Sequence, residues 1–201
     1  MKKLLLTGYE PFLRFKTNPT ASVVESLDGK SIGGYEIIGK VYPVEFGEIN
    51  SIIEADIDKI EPDAILSLGL ANGIKSIHLE RIAINTIDGR EDNTGFKPNG
   101  EKIYEDGADG LFSKLPLKHL EQALLDEGIP VAISNSAGTY LCNNLMYSEL
   151  YILNKKQLDI PAGFIHVPAN HEIGIKEKVA SWPQEEITKA IHILIENLQE
   201  N

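Results

Sequence analysis

The sequence predicts an α/β fold: a largely parallel sheet covered by helices on both faces, in a single domain over residues 1–201. Three observations carry this. Short apolar runs of strand length alternate with longer segments of helical periodicity, the pattern of βαβ units. The strand-like runs are apolar almost throughout, as strands buried on both faces are. No internal repeat or linker divides the 201 residues, a length that suits one domain with a sizeable core.

Each element has its own signal. Lys3–Thr7 (KLLLT) reads as a buried strand. Asn18 caps a helix that opens on Pro19, where proline's missing N–H would have no partner in any case. Tyr35–Tyr42 is a second strand. Glu48–Ile60 is a helix ended by Pro62, with Ile49, Ile52, Ile53 and Ile57 at helical spacing. Ala64–Leu68 is a third strand, closed by the glycines of GLANG. Ile77–Asn85 is a fourth, whose alternation puts Glu80, Ile82 and Ile84 on one face. Pro116–Glu127 is a helix that buries Leu117, Leu120 and Leu124 and stops at Gly128. Val131–Ser134 is a strand, Tyr140–Leu150 a helix with Thr139 as N-cap, and Gly163–Val167 a strand. Glu185–Leu198 is a closing amphipathic helix with Ile187, Ile191, Leu194, Ile195 and Leu198 on its apolar face. Thr86–Ser113 breaks the rhythm. It is polar, holds five glycines, and is long for a connection. Such segments are commonly functional or mobile; a solvated hairpin excursion fits the same residues.

Composition narrows the function. Lys and Arg number 19 against 30 Asp and Glu, a net charge of −11, which disfavours nucleic-acid phosphates and anionic membrane surfaces as partners. One cysteine excludes an intrachain disulfide and a cysteine-built zinc site. The start, MKKLLLTGYEP, is too briefly apolar for a signal peptide, and no segment approaches the roughly 18 apolar residues of a membrane span. A cytoplasmic, reduced setting fits. Gly29-Lys30-Ser31 is like the end of a phosphate-binding P-loop, but Val24 stands where the leading glycine belongs. His78 and Glu80 share a strand face and would need further ligands to hold a metal.

Cys142 sits in SNSAGTYLCNNL (134–145), just after a strand-to-helix turn of small residues. There it falls in the first turn of the helix, where unpaired N–H groups and the helix dipole favour an anion. A thiol so placed loses its proton more readily, and the same N–H groups can hold an oxyanion. The carboxyl edge of a sheet is where open α/β folds bind ligands. A cysteine beside Leu145 and Met146 also serves as packing, and the local pattern leaves both readings open. A nucleophile needs a base. His166, in GFIHVP, lies near the carboxyl end of a core strand, on the edge expected for Cys142; His171, five residues on in a loop, is its competitor. Glu80, inside the apolar HLERIAIN, needs a partner: a histidine it orients, or an arginine or lysine.

The chain resembles the pyroglutamyl peptidases, a family of cysteine peptidases, through most of its length. The matching stretches are TGYEPF with NPT, LERIAIN (79–85), GADGLFSKLPLK (107–118), SNSAGTYLCN (134–143) and GFIHVP (163–168). The resemblance implies removal of an N-terminal 5-oxoproline from peptides by an α/β/α sandwich with a phosphorylase- or hydrolase-like mixed sheet. It assigns Cys142 as nucleophile, His166 as base and acid, and Glu80 as the group that orients the histidine. It implies no metal or cofactor, and a homotetramer. Arg90 matches a family arginine and becomes a second oxyanion donor. Tyr9 and Phe12 match an aromatic pair which, with Tyr140 and Leu141, would form an apolar slot for a small neutral lactam. Departures from the family pattern fall around the slot: Tyr9 for phenylalanine, Leu13 and Arg14 for glycines, Leu70 for glutamine, Ile74 for arginine, and a segment after Arg90 one residue short.

Overall fold

The computed structural model describes residues 1–12 and 15–199. Its first half runs β1 (Lys2–Tyr9), α1 (Pro19–Leu27), β2 (Ser31–Ile32), β3 (Tyr35–Tyr42), α2 (Phe46–Ile60), β4 (Ala64–Leu70), β5 (Ile77–Glu80), β6 (Ile82–Ile84), β7 (Ile87–Asp88) and β8 (Asn99–Glu101). The second half runs β9 (Gly110–Phe112), α3 (Leu117–Asp126), β10 (Val131–Ser134), α4 (Leu141–Lys156), β11 (Ala162–Val167), β12 (Ala169–Asn170), α5 (His171–Glu177), β13 (Ser181–Trp182) and α6 (Gln184–Glu196).

Seven strands form the main sheet in the order β10-β5-β11-β4-β1-β3-β2. β3, β1, β4 and β11 run parallel. β5 and β10 are parallel to each other but run against β11, and β2 closes the far edge antiparallel to β3. The sheet is therefore mixed, with parallel pairings in the majority.

Adjacent side chains of each strand enter opposite cores, which is why the runs read as continuously apolar. Leu4, Leu6, Leu66, Leu68 and Leu79 pack with Val23 and Leu27 of α1, Leu120 and Leu124 of α3, and Ile187, Ile191 and Leu194 of α6. Leu5, Ile65 and Phe164 pack with Ile49, Ile53 and Ile57 of α2 and with Leu141, Leu145 and Leu150 of α4. The result is three layers, helices on both sides of the sheet.

The helix ends follow local chemistry at α1 and at the end of α2, but not at the starts of α2 and α4. Asn18 caps α1 by accepting from Thr20 N, with Pro19 next. α2 ends on Glu61 in the left-handed region, directly before Pro62. Its N-terminus begins two residues earlier than expected and carries no cap of its own. Asp92, from the long polar stretch, supplies the acceptor instead: its Oδ2 takes Phe46 N–H at 2.9 Å. Thr139 does not cap α4. It exchanges bonds with Asp88, donating Oγ1–H to Asp88 O and accepting from Asp88 N, and Tyr140 is the residue before the helix.

The run Ile77–Asn85 is not one strand. β5 ends at Glu80, and β6 pairs with β9 in a separate two-stranded ribbon. The reason lies beside β11. Lys114 N donates to Ala162 O, and Ser113 crowds Gly163, so residues 113–114 occupy the place a continued β5 would need. Past the break, Ala83 is the buried residue and Ile84 turns outward.

Residues 86–113 hold the β7–β8 pair and are stitched to α4. Asn85 is the central tie. Its Nδ2 donates to Tyr104 O and Gly107 O, and its Oδ1 accepts from Ile103 N and Tyr104 N. Tyr147 of α4 donates to Ala108 O and Tyr151 to Asp106, with Tyr104 stacked on Tyr151 at 3.9 Å. Asn85→Ala removes all four bonds and leaves Gly107 O, Ile103 N and Tyr104 N without them, while Tyr104 O keeps the Gly107 N–H. It is expected to destabilise the protein by about 2–4 kcal/mol, read by urea unfolding; an unchanged midpoint would refute this anchoring.

Candidate active site

β1, β4 and β11 bring their carboxyl ends to one edge, at Tyr9, Leu70 and Val167. β10 points the other way, because it follows β5. Cys142 thus does not sit at the carboxyl end of its own preceding strand. Residues 135–140 carry the chain back across, held by the Thr139–Asp88 bonds and by Tyr140 O–H donating to Glu91 O at 3.0 Å. α4 then starts at the parallel edge, with Cys142 in its first turn.

Cys142 is half-buried and rests on Gly69. A Cβ added at Gly69 would lie 2.8 Å from the Cys142 sulfur and 2.7 Å from the Phe164 ring. Only glycine lets the sulfur approach the strand this closely. Tyr140 offers no side-chain cap, so the first-turn N–H groups stay open to an anionic group.

His166 is 8 % exposed and Glu80 is 1 % exposed. Their placement follows from strand direction. His166 pairs with His78, and Ile165 with Leu79, so Glu80 sits diagonally from His166 on the same face, within reach of a long side chain. His166 Nδ1 is hydrogen-bonded to Glu80 Oε1 at 2.7 Å, and Cys142 bears on the same ring. Glu80 Oε2 has no hydrogen-bond partner among the described residues. Among the described residues the acid's partner is therefore the histidine and not a lysine or arginine.

Burial alone would pull the His166 pKa down. The charge and hydrogen bond of Cys142 and the bond and charge of Glu80 act against it and push it up to about 10. The charged imidazolium therefore contributes stability that is complete below about 6.5 and is lost as pH rises through about 10. His171 is not near this pair. It is the first residue of α5 rather than part of a loop, and its Nδ1 lies 3.0 Å from Ser181 Oγ.

A cleft of about 1070 Å³ opens over Cys142. Tyr9, Phe12, Arg90, Tyr140 and Leu141 all line it, as does Leu70; His166 and Glu80 stand behind the thiol, and Ile74 is not on the wall. Leu13 and Arg14 lie outside the described residues. Tyr9 is fully enclosed and donates its hydroxyl to Leu141 O at 2.9 Å, which ties β1 to the start of α4. Burial first, then the nearby charges of Cys142 and Glu149, raise its phenol well above the usual range. Tyr140 packs against Phe12 at 5.4 Å and Phe46 at 5.2 Å. Thr17, Asn18, Val44, Asn72 and Glu177 also line the cleft and were not singled out in the sequence. Asn18 showed only as a cap, and Glu177 belongs to α5, which has no strong periodic signal. A smaller hollow between α1 and α6, lined by Ser26, Lys30, Glu185 and His192 among others, presents no nucleophile with a base. Among the described residues no group of three or more His, Cys, Asp or Glu is placed to hold a metal ion.

The sequence profile described as pyroglutamyl peptidase matches residues 2–201. A pyrrolidone-carboxylate peptidase of Oceanobacillus iheyensis is 48 % identical over 195 residues, covering 97 % of this chain and 98 % of its own. One from Halalkalibacterium halodurans is 41 % identical over 197 residues, covering 97 % and 98 %. Among solved structures, a mutant pyrrolidone carboxyl peptidase from Pyrococcus furiosus superposes with a TM-score of 0.95 at 39 % identity, covering 98 % of this chain and 97 % of that one. The pyrrolidone carboxyl peptidase from Thermococcus litoralis gives 0.95 at 36 % identity, covering 98 % and 93 %.

The charge balance around His166 can be measured directly. Its imidazole should titrate near 10 in the intact protein by NMR, and the midpoint should fall in Cys142→Ala and in Glu80→Gln. A midpoint that stays in place in Cys142→Ala would show that the thiol does not hold the proton on the ring.

Proposed function

The chain belongs to the pyroglutamyl peptidase family, and we propose that it is a cysteine exopeptidase that removes an N-terminal pyroglutamyl residue from peptides through Cys142, His166 and Glu80. The observation that carries the reading is the buried line from Glu80 Oε1 through the His166 ring to Cys142 at the cleft floor. A thiol, a base it can share a proton with, and a carboxylate that fixes the base are the parts that thiol acyl transfer needs.

The reaction runs in two halves. With His166 already carrying the proton, the Cys142 sulfur attacks the pyroglutamyl carbonyl carbon. The carbonyl π electrons move to oxygen, and that oxyanion is held by the Cys142 N–H and by Arg90 from the cleft wall. The C–N bond then breaks as protonated His166 gives its proton to the leaving amine, leaving a thioester. In the second half His166 takes a proton from water, the hydroxide adds to the thioester, and the C–S bond breaks. Free pyroglutamic acid leaves, and the proton stays on His166 beside the freed sulfur. Glu80 keeps its bond to His166 Nδ1 throughout and holds the ring in one orientation.

Selectivity follows from the slot. Phe12 and Tyr140 present apolar surface, with the buried Tyr9 and Leu141 behind them, to a lactam that carries no ammonium. An ordinary N-terminal residue would bring a charge into that slot without a counter-ion, at a desolvation cost. The same reading carries a cytoplasmic homotetramer. Phe112, 68 % exposed, and Ile84, 36 % exposed, on the β6–β9 ribbon offer it apolar contact surface.

The assay is release of a fluorescent amine from a pyroglutamyl amide, with prolyl and glutamyl amides as controls. Release from the first alone is expected; none under reducing conditions would sink the proposal. Cys142→Ser and His166→Ala should each lose about 10⁴-fold or more in kcat, while His171→Ala should match the wild type. Arg90→Gln should lose about 10²-fold in kcat; full retention would remove it from the oxyanion site.

A further inference from the structure

Glu149 is a buried acid that the reaction above does not use. It lies on α4 seven residues beyond Cys142, two helical turns along the same face, and is 0 % exposed. Its Oε2 accepts from Ser67 Oγ at 2.6 Å, and Ser67 Oγ in turn accepts from Thr7 Oγ1 at 2.9 Å. All three residues are fully buried. Its Oε1 has no hydrogen-bond partner among the described residues.

Ser67 is two residues before Gly69 on β4, so both face α4. The helix therefore meets this one strand at two polar points: the Cys142 sulfur over Gly69, and Glu149 on Ser67. Between them the packing is aliphatic, through Leu145 and Met146. Apolar packing is non-directional and tolerates a small slide of the helix along the strand. A short hydrogen bond does not, and its extension to Thr7 ties the same helix to β1. We propose that Glu149 is a positioning residue: through Ser67 and Thr7 it fixes the height of α4 over the sheet, and so holds the Cys142 sulfur on Gly69 in line with His166. Burial raises the carboxyl pKa well above its usual range, against the opposing bond from Ser67. Glutamine keeps an oxygen that can accept from Ser67 Oγ and is its close mimic. Tyr9 of β1 and Tyr42 of β3 also feel it; Tyr42 donates to Asp56 of α2.

The inference rests on the role proposed for Cys142, but it can be tested without the peptidase assay. The chain has one cysteine, so iodoacetamide reports on Cys142 alone. Glu149→Leu and Ser67→Ala should slow alkylation at pH 7 by about tenfold or more. On the pyroglutamyl amide they should lower kcat by a similar factor with KM within about twofold. Glu149→Gln should restore both to within about twofold of wild type. Wild-type alkylation and kcat in Glu149→Leu, with only a lower melting temperature, would reduce Glu149 to a structural tie and overturn the proposal. So would a Glu149→Gln as impaired as Glu149→Leu. If Glu149→Leu does not fold, Ser67→Ala decides by the same readouts. If the wild type alkylates rapidly but releases no amine, the peptidase reading fails, and alkylation still decides the role of Glu149.

Discussion

The 2.7 Å bond between His166 and Glu80 is the constraint on which the rest of the site depends. A carboxylate at 1 % exposure is tolerated only with a partner that answers its charge, and the histidine is that partner. The pairing exists because β5 runs against β11. Antiparallel registration brings Glu80 diagonally beside His166 on the face where α4 begins. The departure from an all-parallel sheet is thus part of the chemistry. The imidazole, held on one side, can present only its other nitrogen to the cleft, where Cys142 waits.

Around that bond, segments distant in sequence are fastened to one another at a few points. Tyr9 ties β1 to the start of α4, and Asp92 supplies the missing cap of α2 while its loop holds Arg90 beside the cleft. Asn143, the residue after Cys142, accepts from Ile84 N and donates to Ile84 O and Thr86 O, so α4 also grips the chain just beyond Glu80. Each tie is a buried polar group with satisfied partners, which is the condition under which such groups specify one arrangement.

Much of this was legible in the sequence, for identifiable reasons. β3 and the N-terminus of α1 agree with their expected bounds because β-branched alternation and the Asn18-Pro19 pair are local signals. Cys142, His166 and Glu80 stood out as a thiol in a helix turn, a histidine in an apolar strand and a buried acid, and the family resemblance set them together. What was hidden is non-local. The break after Glu80 depends on residues 113–114 occupying the edge of β11, and nothing in HLERIAIN reports that. The reversed direction of β10 is likewise a property of its neighbour. Thr139 looked like a cap because threonine before a helix usually is one; its actual partner, Asp88, is 51 residues away. Glu149 sat within a helix already read as ending early, and its burial depends on strands β1 and β4.

The solitary thiol has a consequence for how the protein ages. Oxidation of Cys142 to a sulfenic acid is normally reversed by condensation with a neighbouring thiol, and only then by reduction. No such neighbour exists anywhere in the 201 residues. Rescue must come from a small external thiol diffusing into the cleft, in competition with a second oxidation that cannot be undone. How long each molecule keeps a reducible Cys142 is then set by the redox buffer around it.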